Sequence, residues 1–145
     1  MKRGHKTLDH MADMGLAGWG ATLNDALEEI ALAMFELAGE GLIGREGTKD
    51  VTLHIRASKL VDLMIEFLNE LITESDIHRL LFTRIHVGYV GQIQSGWELK
   101  AEANGLSIED YIDMLENEVK AATYYGAKVE KRADDLWYMQ CVVDL

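Results

Sequence analysis

Leu136-Trp137-Tyr138-Met139-Gln140-Cys141-Val142-Val143-Asp144-Leu145 reads as a strand inside a sheet. The run stays aromatic, β-branched and apolar to its end, a composition suited to a pleated, covered surface. Alternation places Trp137, Met139, Cys141 and Val143 on one face and Tyr138, Gln140, Val142 and Asp144 on the other. Both sets are largely apolar, so the strand is expected to be covered on both faces and its end held rather than frayed. Asp144 is then a carboxylate at the edge of a buried strand, which costs free energy unless it is paired or bound to a metal.

Working back from that strand, residues 119–130 form its hairpin partner around Ala133-Asp134-Asp135. Two amphipathic helices precede them. The first follows Thr22 as N-cap, with Asp25 near the positive helix end, and repeats Leu23, Ala26, Leu27, Ile30, Ala31, Met34 and Leu37 at helical spacing until Gly39 and Gly41. The second follows Ser58 and lines up Leu60, Leu63, Met64, Phe67, Leu68 and Leu71, with Glu66, Glu70 and Glu74 on the other side. Each helix is expected to cover one sheet face. Strands are predicted at 51–57, where Val51, Leu53 and Ile55 alternate with polar residues, and at 82–90 and 97–103, separated by a turn over 91–96. Residues 6–19 read as two short strands broken at a turn over 13–15. Segment 106–117, with Ser107 as a cap and Ile108, Tyr111, Ile112 and Leu115 as its apolar face, reads as a short acidic helix. The order ββ-α-β-α-ββ-(helix)-ββ is an α+β pattern, not the regular alternation of a nucleotide-binding sheet.

At 145 residues, 48% hydrophobic, the chain is expected to form a single domain over 1–145. The net charge is −11, from 25 acidic and 14 basic residues. Such a surface repels nucleic-acid phosphates and anionic lipid, and Lys2, Arg3, Lys6 and the 128–132 stretch are too scattered to form a basic patch. Cations or a basic protein partner suit it better than direct RNA or DNA binding. The one cysteine, Cys141, excludes an internal disulfide and reads as a small buried hydrophobe. No apolar run of about 20 residues is present to span a membrane, and no secretory h-region follows Met1, so a cytoplasmic location is expected. With no proline, the turns fall to the 13 glycines and to Asn and Asp.

Chemistry-bearing residues are few. Asp9-His10-Met11-Ala12-Asp13-Met14-Gly15 sets two carboxylates and an imidazole within five residues, a weak signal that fits a metal site, a proton-transfer pair or a turn bonded to its own backbone. Gly15 is expected to allow a backbone conformation that turns Asp13 into a pocket. Asp13, Asp144 and a carboxylate on Leu145 would supply the hard oxygen donors that calcium or magnesium takes. There is no glycine-rich phosphate loop, no Gly-x-Ser-x-Gly elbow, and no base near Ser75 or Ser95. His54, His78 and His86 are scattered and read as surface or structural groups. Trp19, Trp97 and Trp137 read as core, since no basic residues interleave with them.

Taken in order and spacing, four stretches resemble the archease family over essentially the whole chain. They are Leu8-Asp9-His10-Met11-Ala12-Asp13-Met14-Gly15, Ala31-Leu32-Ala33-Met34-Phe35, Glu118-Val119-Lys120-Ala121-Ala122-Thr123-Tyr124-Tyr125, and the strand from Trp137 to Leu145. The resemblance implies an archease-like α+β fold, with two main helices packed on mostly antiparallel sheet and built from two intertwined β-α-β-β repeats. It implies a non-enzymatic accessory protein that promotes guanylation and multiple turnover of the GTP-dependent RNA-splicing ligase. It also implies a bound calcium-type ion, whose matching positions here are Asp13, Asp144 and the carboxylate of Leu145. Met11 stands where the family has threonine, Tyr125 where it commonly has histidine, and the segment before Glu118 lacks the family's Pro- and His-containing stretch. Two competing readings are a general chaperone or adaptor for RNA-modifying enzymes such as tRNA methyltransferases, and a small metal-dependent hydrolase using His10 and Asp13.

Overall fold

The computed structural model of the protein describes residues 2–9, with only the backbone at Asp9, and residues 13–145. Two antiparallel sheets carry the strands. The first has the order β1-β2-β7-β6, from β1 (Gly4–Asp9), β2 (Asp13–Gly20), β7 (Trp137–Asp144) and β6 (Ala121–Lys131). The second has the order β3-β5-β4, from β3 (Lys49–Ala57), β5 (Gly96–Ser107) and β4 (Leu80–Ile93). The chain starts the first sheet, leaves to build the second, and returns to complete the first. Helices α1 (Leu23–Ala38) and α2 (Leu60–His78) lie on the paths between them.

The α+β class and the predicted element order stand, but each helix does more than cover one sheet. Helix α1 packs on β2 and also on β4, and α2 packs on β3 and also on β6, so both helices bridge the two sheets. That wider contact explains why Ala33 and Phe35 are buried beside the predicted apolar stripe. Phe35 meets Phe82 of β4 edge-to-face at 5.5 Å. The buried core runs through both sheets, joining Leu16, Met139 and Val143 to Leu53, Phe82 and Leu99 through Met34, Phe67 and Leu68. Each such side chain contributes roughly 1.5–3 kcal/mol of transfer free energy. Close approach of α1 to β2 depends on Gly18, where a Cβ would lie 2.4 Å from the backbone nitrogen of Ile30.

Caps and boundaries sharpen the reading. Thr22 caps α1 as expected, its hydroxyl accepting from the Asp25 amide at 3.1 Å. The cap position of α2 is Lys59, without a side-chain bond, not Ser58. That helix runs on to His78 and stops where Arg79 takes the left-handed conformation (φ 53°). The β4–β5 turn is tighter than the predicted 91–96 loop, because Gly91 still pairs with Glu98 and Ile93 with Gly96. Segment 106–117 forms only a 3-10 helix (Ile108–Met114), kinked at Tyr111 and burying no side chain. With so little apolar burial to stabilise it, and with clustered acids repelling, a longer helix has nothing to offset its nucleation cost.

Residues 13–15 are not a turn. They begin β2, with Asp9 opposite Met14 and Leu8 opposite Gly15. Gly15 is not in the left-handed region; it is small because a Cβ there would lie 2.7 Å from the Leu8 Cβ. Among the described residues, no helix is long and apolar enough to cross a membrane.

Candidate functional site

The register of the first sheet brings the two ends of the sequence together. Strand β7 lies between β2 and β6, and Asp144 is directly opposite Asp13 on one side and Ala121 on the other. Residues opposed across an antiparallel pair share a face, with Cβ atoms roughly 4.5–5.5 Å apart. Asp13 and Asp144 therefore present their carboxylates side by side, both half-buried. The end of β7 is tied down, since the Lys120 amide donates to the Asp144 carbonyl at 2.8 Å. Leu145 is half-buried and packs against the core.

Neither carboxylate has a hydrogen-bond or ion-pair partner among the described residues, and like charges directly opposed in a sheet are destabilising. Two adjacent hard oxygen donor groups without a cation are the chemistry that a divalent ion satisfies. The protein side chains do not complete a shell, however. Among the described residues, no group of three or more His, Cys, Asp or Glu is placed to hold a metal. The Asp9 side chain and His10, Met11 and Ala12 lie outside the described residues, and with them the proposed His10–Asp13 pairing.

A second cluster of charges lies where β1 crosses α1. Arg3 donates from Nε to Glu29 at 2.6 Å, from Nη1 to Asp25 at 2.9 Å and from Nη2 to Glu28 at 3.1 Å. His5 sits between two carboxylates, with Nδ1 2.5 Å from Glu29 and Nε2 2.8 Å from Glu36. Acceptors on both ring nitrogens require both to carry hydrogen, so the ring is imidazolium. The bond to Glu29 raises the His5 pKa against the opposing effect of burial. Burial alone would raise that of Glu29, but His5 and Arg3 together bring it below its usual value. Glu28 also accepts the Val87 amide at 2.8 Å, while Asn24 donates to the Val87 carbonyl at 2.8 Å, fastening α1 to the irregular part of β4. Nothing in the sequence signalled this network.

The other candidate groups are occupied structurally. Cys141 is buried, and burial pushes its thiol pKa up to about 12, which removes any thiolate chemistry. The Ser75 hydroxyl donates to the Leu80 carbonyl beyond the end of its own helix. His54, His78 and His86 each face a carboxylate, at 2.6, 3.1 and 3.6 Å respectively. The tryptophans are half-buried rather than core, and a basic residue does lie by one: Lys131 Nζ is 5.7 Å from the Trp137 ring centre. Sequence spacing could not show this, because the pair forms across strands. Arg132 similarly lies 3.6 Å over the Tyr138 ring.

The chain matches the Archease protein family (MTH1598/TM1083) over residues 5–145. It is 32% identical over 138 residues to the protein archease of Pyrococcus abyssi, covering 94% of this chain and 95% of that one. To the protein archease of Thermococcus kodakarensis it is 33% identical, with the same coverage. Among solved structures it resembles protein 1598 of Methanobacterium thermoautotrophicum, with a TM-score of 0.78 and 26% identity over 98% of this chain and 99% of that one. A Thermotoga maritima archease, described as a possible chaperone, shares the fold at a TM-score of 0.58 and 20% identity over 95% of this chain and 94% of that one.

Proposed function

Since the chain belongs to the archease family, we propose that it is a non-enzymatic, metal-binding accessory protein that activates the GTP-dependent RNA-splicing ligase by promoting its guanylation and multiple turnover. The observation that carries this reading is the placement of Asp13 opposite Asp144 with no cation partner among the described residues. Asp13, Asp144 and the carboxylate of Leu145 would hold calcium or another divalent ion such as magnesium. When bound, such an ion supplies a positive, Lewis-acidic centre at an otherwise acidic end of the sheet. Backbone oxygens, water or groups of the partner would fill the remaining coordination positions. The tie from Lys120 to Asp144 keeps the donors in place for docking. A charge of −11 favours encounter with a positively charged protein and disfavours direct contact with RNA.

The test is RNA ligation by the ligase of the same organism, limiting in amount, with GTP and manganese, in the presence and absence of this protein. Activation means a rise from roughly one turnover to many, lost in Asp13→Ala and Asp144→Ala. A short extension after Leu145 should weaken ion binding by roughly tenfold. Activation by both alanine variants at the wild-type level would remove the metal from the mechanism.

The description of the Thermotoga protein as a possible chaperone favours a second reading, an adaptor that protects RNA-modifying enzymes such as a tRNA methyltransferase. In that case ligase turnover would not change, while aggregation of unrelated clients would be suppressed.

A further inference from the structure

A cleft of about 380 Å³ opens between the C-terminal ends of α1 and α2 and the 3-10 helix. Its floor is apolar, formed by Met34, Phe35, Ile72 and Leu81. One wall is pinned in place by bonds that also satisfy the free carbonyls at the end of α1: the Glu116 amide to Ala38 at 2.9 Å and Asn117 Nδ2 to Leu37 at 3.0 Å. Ile112 on the rim is 59% exposed. The floor and Ile112 make an apolar target in a preformed cavity.

The charge around that floor is one-sided. Asp76, Glu116 and Glu118 line it, and none has a side-chain partner among the described residues. Arg79, the lining cation, is already bound to Glu109 at 3.0 Å. Both main helices point their negative ends at the cleft, and α1 has no basic residue in its last turn. A neutral small molecule would leave those carboxylates unanswered. A second copy of this chain, at net charge −11, would be repelled.

We propose that this cleft docks a basic segment of a partner protein, which inserts one apolar side chain onto the Met34–Ile72–Leu81 floor and sets Lys or Arg against Asp76, Glu116 and Glu118. The wall continues through Val119 into Lys120, whose amide holds Asp144, so the docked segment lies beside the carboxylate pair. Docking of this kind is independent of whether the partner is the RNA ligase.

The experiment is titration of ¹⁵N-labelled protein with a short synthetic amidated peptide carrying Leu and Phe on one helical face and Lys on the other. Amide shifts should concentrate at 34–38, 72–79 and 108–119. The exposed-residue variant Asp76→Asn/Glu116→Gln/Glu118→Gln should bind roughly tenfold more weakly. The charge-matched variant Glu46→Gln/Glu70→Gln/Glu102→Gln should stay within about twofold. Replacing Leu and Phe of the peptide by Ser should also lose roughly tenfold. Absence of binding, shifts centred elsewhere, equal weakening in the two triple variants, or undiminished binding of the Ser peptide would each overturn the proposal.

Discussion

Two groups of acids in this molecule meet opposite fates. On α1, Asp25, Glu28, Glu29 and Glu36 all receive hydrogen bonds from Arg3 or His5, which the adjoining strand β1 lays across them. At the far end of the same sheet, Asp13 and Asp144 face each other with no such answer among the described residues. The first arrangement is finished: each carboxylate has a cationic partner, and the cluster fastens strand to helix. The second is unfinished, because the backbone register, not an ionic attraction, brings its charges together. Carboxylates therefore serve as structural ties in one place and, on the function proposed above, as ion ligands in the other. What distinguishes them is the presence of cationic neighbours.

The largest expected effect falls on the unfinished site. Asp144→Ala should weaken calcium binding by at least about 100-fold, or about 2.7 kcal/mol, in isothermal titration, with an unchanged circular dichroism spectrum. Unaltered affinity would show that the pair is not a cation site. At the finished site, Glu29→Ala leaves Arg3 and His5 short of their central acceptor and should cost about 2 kcal/mol in urea denaturation. A loss below about 0.5 kcal/mol would reduce the cluster to ordinary surface pairing. Opposite signs are the sharpest contrast: without divalent ions, Asp13→Asn should stabilise the fold by roughly 0.5 kcal/mol through relief of cross-strand repulsion. Added calcium should raise the melting temperature of the wild type but not of this variant.

The smallest effect is in the pH dependence of the Arg3–His5–Glu29 cluster. His5 has its pKa raised from an ordinary 6.5, so its stabilisation is complete below that value and fades as pH climbs through the raised one. Glu29 has its pKa lowered from an ordinary 4.5, so its contribution is complete above that value and fades as pH falls through the lowered one. Between 4.5 and 6.5 both contributions are complete. Denaturation midpoints at about pH 5.5 and about pH 8.5 should differ more in the wild type than in His5→Gln. Equal differences would place the alkaline loss on another group.

Legibility tracked how local each feature is. The N-cap Thr22 and the apolar repeat of α1 are short-range signals, readable because helix geometry is set within one or two turns. Strand β7 was readable because its composition suits a strand covered on both faces. The 106–117 segment misled, since apolar spacing cannot report that its neighbours leave Ile112 exposed. Gly15 misled for a related reason: its smallness answers to Leu8 on the paired strand, not to its own backbone angles. The Arg3–His5 network joins residues more than 20 positions apart, and the tertiary crossing of β1 over α1 is its only cause.

The α+β class, the two amphipathic helices, the net charge and the family could all be read along the chain, because periodicity, composition and motif order are written along one dimension. It also named Asp13 and Asp144 as carboxylates of interest. The direct opposition of the two, the bridging of both sheets by each helix, and the ion pairs of the α1 acids, which Asp13 and Asp144 lack among the described residues, emerge only in the packed fold. Strand register and helix crossing are set by packing between distant segments, and the energy of a charge depends on which groups that packing brings beside it.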